Sequence, residues 1–192
     1  MQARTAKDKD VKDALSESIN RIYAMSLIHN QLYESWNLSE VNMKGFVDNL
    51  ILQLLQIYPV RETKVAPNVC VADYPFHISI AVPIGLIVNE LLTNAFKHAF
   101  VNRKEGRIRV SLTATDSGRA YLRVSDDGVG LPPGFDIDKT RSLGLHLVKI
   151  LAEDQLQGTL EVISDGGVTF NMEFDIDGNG GSSYGEDKNT DR

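Results

Sequence analysis

The chain has 192 residues, 42% of them hydrophobic and 24% charged, with a formal net charge of −6. That suits one globular domain plus an extra element, and the lack of a dense Lys/Arg block argues against a nucleic-acid surface. A single cysteine, Cys70, excludes an internal disulfide and a cysteine-rich zinc site. No apolar run approaches the ~18 residues of a bilayer span and no signal peptide opens the chain, so a cytoplasmic setting without direct membrane contact is the expectation.

Residues 1–8 are polar. Residues 10–33 follow a helical period, with Val11, Leu15, Ile22, Met25 and Leu32 near one line and Ser18 as its polar interruption. Residues 34–39 break the pattern. A second helix follows, with Asn42 as N-cap, an apolar line of Met43, Phe46, Leu50, Leu54 and Ile57, and Pro59 as its stop. Together they predict a helical hairpin with too little core of its own, which packs on a second copy or a partner.

The composition then changes. Residues 69–74 read as a short strand, and residues 80–97 as a helix with Pro83 tolerated in its first turn. In residues 106–115, Ile108, Val110, Leu112 and Ala114 alternate with polar neighbours. Asp116-Ser117-Gly118 is a turn, and residues 119–125 return with Ala120, Leu122 and Val124 on one face. Residues 126–142 are a Gly/Pro/Asp-rich loop, and residues 143–152 are helical. Residues 158–163 and 168–176 form a closing hairpin, and from Asp177 the composition predicts a disordered tail. The order predicts an α+β fold, a two-layer α/β sandwich preceded by a helical hairpin. The boundaries are residues 1–60, 61–176 and 177–192.

Three constellations carry chemistry. At about 100° per residue, Glu90, Asn94, Lys97 and His98 fall in one arc of an otherwise apolar helix. A carboxylate and an amide oxygen suit magnesium, and an ammonium suits phosphate. The alternative is a polar face turned to water. Asp126-Asp127-Gly128-Val129-Gly130 follows a strand. Its glycines allow a sharp turn and close ligand approach, and its carboxylate can accept a hydrogen bond from an exocyclic amine such as adenine's. An ordinary Asp-Gly turn is the alternative. Arg141-Ser142-Leu143-Gly144-Leu145 puts a glycine at a helix start, where free N–H groups can hold phosphate.

In this order and spacing the three resemble the Bergerat ATP-binding fold of histidine kinases, type II topoisomerases, heat-shock chaperones and mismatch-repair ATPases. Residues 85–100, with 20–33 and 38–41, resemble the histidine kinases that carry the second type of dimerisation domain. The resemblance implies Mg-ATP (or ADP) as ligand, with Glu90, Asn94 and Lys97 as the catalytic set. Asn94 would hold the metal, Glu90 would orient the nucleophile, and Lys97 and His98 would meet phosphate. Asp126 would read the adenine amine, while Gly128, Gly130 and Gly144 allow close approach. Ser142, Leu143 and Leu145 complete the nucleotide contacts. Either Val168 or Thr169 would face the base, and residues 131–142 would form a lid. The implied partners are ATP, a response-regulator receiver domain, a second copy through the helical region, and an upstream sensor module. Whether the parent protein is membrane-anchored stays open.

The sequence also departs from that family. Its acceptor histidine lies in a His-Arg-Val-Lys-Asn-like run, and this chain begins after the point where that run ends. A fragment without its own phospho-acceptor is therefore expected. The second glycine box keeps one glycine. Of the other histidines, His29 sits on the apolar line and reads as a core or interface residue, while His77 and His146 read as surface residues. Lys139 and Arg141 either reach phosphate or stay solvated. The rival readings are a serine kinase of the anti-sigma-factor type and a nucleotide-free pseudo-kinase scaffold.

Overall fold

In the computed structural model, residues 11, 15, 18–30, 39–58, 64–140 and 142–176 are described. The elements are α1 (residues 18–30), β1 (Glu40–Val41), α2 (Met43–Ile57), β2 (Lys64–Val71), β3 (Phe76–His77), α3 (Ile78–Asn94), β4 (Glu105–Ala114), β5 (Arg119–Asp126), α4 (Leu143–Lys149), β6 (Thr159–Ser164) and β7 (Val168–Asp175). Five strands form one sheet in the order β2-β4-β5-β7-β6, while β1 and β3 pair separately. β2 runs parallel to β4, and the other neighbours in the large sheet are antiparallel.

Alternation decides the layers. Ile108, Val110 and Leu112 of β4 and Ala120, Leu122 and Val124 of β5 are buried on one face. Val110 lies opposite Val124 and Leu112 opposite Leu122, so the apolar pairs reinforce one another across the strands. The other face carries exposed Arg107, Arg109, Arg119 and Arg123. This is the expected two-layer α+β sandwich. β2 occupies an edge and begins at Lys64, five residues before the predicted start, with Pro67 in its middle. Pairing with β4, rather than a hydrophobic period of its own, extends it.

α3 is the central rod. Ile84, Ile87, Val88 and Leu92 are fully buried, each contributing about 1.5–3 kcal/mol of transfer free energy. With its continuation it spans Ile78–Ala99, and that helix is long and apolar enough to cross a membrane by length and composition. The strict run count missed it because Asn89 and Glu90 interrupt the run. Of its most apolar window, 78% is buried within the domain, so this is a core helix. It starts two residues earlier than predicted, where the His77 ring accepts from the Ser79 N–H as an N-cap. Pro83 therefore lies in the second turn, not the first, and the carbonyl four residues before it receives no helical N–H from Pro83.

The hairpin packs on this rod. Asn42 caps α2 by accepting from Gly45 N–H at 3.0 Å, as the sequence indicates. Met43, Phe46, Leu50 and Leu54 are buried. α1 turns the other way from its predicted line. Val11, Leu15, Ile22 and Met25 are exposed, Ile22 by 67%, while Asn20, Ala24 and Ile28 are buried. His29 is exposed, so the core reading of it fails. The cause is visible at Gly85 of α3, where an added Cβ would stand 2.6 Å from Ile28 Cδ1. Ile28 fills that gap, which turns the Asn20, Ala24 and Ile28 side of α1 inward. Leu32, residues 34–38, Pro59, Arg141 and the tail from residue 177 lie outside the described residues.

Candidate functional site

A cleft of about 450 Å³ opens between the end of α3, the loop after β5, the lid loop, the start of α4 and the start of β7. Its polar lining is Asn94, His98, Asp126, Thr140 and Ser142; its walls include Leu91, Leu131, Phe135, Val168 and Phe170. An apolar slot with few convergent polar groups is the usual form of a small-ligand site.

Asp126 is the last residue of β5, paired in register with Val168 of β7. Its carboxylate accepts from Gly128 N–H at 2.8 Å and from the Val168 backbone. Burial pushes its pKa above the ordinary carboxylate value, with a smaller push from Asp127; the two backbone donors and Arg103 pull it back. Asp127 turns away from the cleft. It accepts from Arg107 N–H at 2.7 Å and pairs with the Arg107 side chain at 3.4 Å, while Arg103 donates to its carbonyl.

The glycines of this loop serve the fold first. A Cβ on Gly128 would stand 2.4 Å from the Ala99 carbonyl oxygen, so the loop presses on the end of the α3 rod. Val129 N–H donates to that same oxygen at 2.9 Å. Gly130 has φ +77°, which favours glycine.

The predicted arc of Glu90, Asn94, Lys97 and His98 does not survive intact. After Asn94 the helix is π-wound through Ala95–Ala99, so residues no longer advance at the α-helical angle, a feature often found at functional sites. Asn94 and His98 line the cleft. Lys97 is half-buried elsewhere, its ammonium 6.0 Å from the centre of the Tyr58 ring. Glu90 is 4% exposed and does not line the cleft. Arg21 of α1 grips it with two parallel bonds of 2.8 Å, and Asn89 Nδ2 donates to the same carboxylate at 3.2 Å. Of the predicted catalytic set, only Asn94 faces the cavity.

At α4, Ser142 is the N-cap, accepting from Leu145 N–H, and both residues line the cleft. Leu143 is exposed and does not line it. Gly144 faces Glu90: a Cβ there would stand 2.5 Å from Glu90 Oε2. At β7, Val168 lines the cleft and Thr169 does not. In the lid, Lys139 pairs with Asp136 at 2.6 Å and Lys149 with Asp138. The Lys139 bond, with other nearby donors, holds the Asp136 pKa below its ordinary value. His77 and His146 are exposed, as read from the sequence.

The sequence singles out neither Phe170 nor Arg21, and it takes Leu131, Phe135 and Thr140 only as part of the lid. The walls left a trace in the alternation of Val168 and Phe170; Arg21 left none, because its partner lies 69 residues away. Among the described residues, no group of three or more His, Cys, Asp or Glu side chains is placed to hold a metal ion. The one amide oxygen of Asn94 suits a magnesium that arrives with phosphate ligands of its own.

Comparison with known proteins gives two family matches. Residues 1–58 match the family described as histidine kinase (HisKA_2), and residues 80–178 match the histidine kinase-, DNA gyrase B- and HSP90-like ATPases. The sensor histidine kinase PdtaS of Mycolicibacterium smegmatis is 33% identical over 165 residues, covering 83% of this chain and 32% of that protein. The chain thus spans about a third of the length of that relative. An anti-sigma F factor of Bacillus licheniformis is 36% identical over 58 residues, 30% of this chain and 37% of its own. Among solved structures, the histidine kinase domain of the Erythrobacter litoralis blue-light activated histidine kinase superposes with a TM-score of 0.75 at 23% identity. It covers 85% of this chain and 76% of that one, a likeness of fold.

Proposed function

We propose a function that proceeds from one premise: this chain belongs to the histidine kinases with a gyrase B- and HSP90-like ATPase domain. It binds Mg-ATP in the cleft and transfers the γ-phosphoryl group to a histidine, in the cytoplasm, for relay to a response-regulator receiver domain. The observation that carries the reading is Asp126, a partly buried carboxylate lining an apolar slot that Asn94 and His98 also line.

Asp126 accepts from the adenine amine, and Val168 and Phe170 face the base. Asn94 holds the magnesium, which neutralises phosphate charge when bound, and His98 reaches the phosphates. Lys97 reaches them only after leaving Tyr58. The acceptor imidazole nitrogen forms the new P–N bond as the bond from the γ-phosphorus to the β–γ bridging oxygen breaks and ADP departs. Glu90 orients that imidazole only after its carboxylate leaves Arg21. We read the acceptor as lying outside these 192 residues, since His77 caps α3 and His98 lines the cleft; labelling from ATP that disappears with His29→Ala, the exposed histidine of α1, overturns that reading. A second copy covers the exposed line of Val11, Leu15, Ile22 and Met25, and an upstream sensor module sets the activity.

Calorimetry with ADP and magnesium tests the reading. Wild type binds, and Asp126→Asn binds at least about tenfold more weakly, a difference of about 1.4 kcal/mol. No binding by wild type overturns the proposal and favours the scaffold reading. The anti-sigma F likeness keeps a serine acceptor as the second reading; phosphoamino-acid analysis of a labelled substrate separates the two.

A further inference from the structure

The groove holding Arg21 and Glu90 is built from three elements distant in sequence. Arg21 comes from α1 of the helical hairpin, Glu90 from α3, and Gly144 from the start of α4. Both carboxylate oxygens of Glu90 are taken by the guanidinium, with side-chain exposures of 5% for Glu90 and 16% for Arg21. Asn89 takes a further acceptor position on Oε1. The planar fork of arginine matches a carboxylate in two places at once, which a lysine cannot do. A Cβ on Gly144 would stand 2.5 Å from Oε2, so a larger residue here displaces the Glu90 carboxylate from its place. Around this pair, Asn20 Nδ2 donates to Tyr58 Oη at 3.1 Å, and Ile28 sits against Gly85.

A carboxylate clasped on both oxygens by a guanidinium in a buried groove is held away from any nucleophile. Its side chain also lies outside the cleft that Asn94 lines, one helical turn further on. We propose that Arg21 is a latch on Glu90: it docks α1 against the ATPase domain and withholds the carboxylate, so phosphoryl transfer begins only when this bond opens. Arg21 is thus a positioning residue, acting through Glu90. The inference rests on the reading of Glu90 as the group that orients the nucleophile. Movement of the hairpin, driven from beyond the chain, supplies the opening.

The test uses the 192-residue chain and three measurements: hydrogen exchange over residues 18–30, ADP affinity by calorimetry, and ATP hydrolysis with water as the acceptor. With Arg21→Ala, exchange in α1 speeds up by at least about tenfold. ADP affinity stays within about twofold, and hydrolysis rises by at least about fivefold. Adding Glu90→Gln removes the gain in hydrolysis and leaves α1 loose. A merely structural arginine loosens α1 without raising turnover. Arg21→Lys, which keeps the charge and loses the fork, shows the same changes at smaller size and serves if the alanine variant fails to fold. Unchanged exchange overturns the latch, as does hydrolysis that stays level or falls while ADP still binds. If wild type binds no ADP, the nucleotide reading fails separately, and the exchange measurement alone decides whether α1 is latched.

Discussion

Glu90 and Asn94 stand one turn apart on the same helix, yet they live in different solvents. Glu90 is in a dry groove with both oxygens taken; Asn94 is half-buried and faces an open cleft. The helix is the same, and what differs is the neighbour. α1 and Gly144 close over the first position, while the lid loop and β7 stand back from the second. A shared helical face does not guarantee a shared site.

The largest effect that breaks the contrast is removal of the arginine. Arg21→Met leaves a buried carboxylate unpaired and costs up to about 3–5 kcal/mol, capped by the free energy of undocking α1. The urea midpoint measures it. Arg21→Met with Glu90→Leu recovers most of the loss, because two apolar groups replace both charges. Next is Gly144→Ala, whose methyl meets Glu90 Oε2; a loss of about 1–3 kcal/mol is expected by thermal melting.

A smaller effect concerns pH on the cleft side. Burial raises the Asp126 pKa above the ordinary carboxylate value, so ionising it costs folding free energy. Between the unfolded and folded pKa the native state binds more protons. Stability therefore falls as pH rises through that window and levels off above it. Melting wild type and Asp126→Asn across this range, the wild type loses ground to the variant as pH climbs; a difference independent of pH contradicts the assignment. Asn94→Ala is expected to shift stability by no more than about 0.5 kcal/mol while removing the magnesium-dependent part of ADP affinity, read by calorimetry with and without the metal. At the bottom of the scale, Lys139→Ala leaves the melting temperature unchanged, since its pair with Asp136 is on the surface.

Much of this was legible beforehand, for local reasons. The strict alternation of Ile108, Val110 and Leu112 declares a one-sided strand, and Asn42 three residues before Gly45 declares a cap. Asp126 before Gly130 marks part of the cleft lining, because the turn chemistry is written within five residues. The failures are all tertiary. Which side of α1 turns inward is set by a gap at Gly85, and the fate of Glu90 by an arginine 69 positions earlier. The winding after Asn94 leaves no periodic signature, so a uniform step of about 100° puts Lys97 in an arc it does not occupy.

The outer border of the large sheet has a consequence for assembly. β2 carries a lysine at its first position and a proline at its middle, and proline offers no amide hydrogen to an arriving strand. Joining two molecules strand to strand along that margin is thereby discouraged. The opposite margin, β6, carries neither device, so the obstacle to strand-to-strand joining stands on one border of the sheet alone.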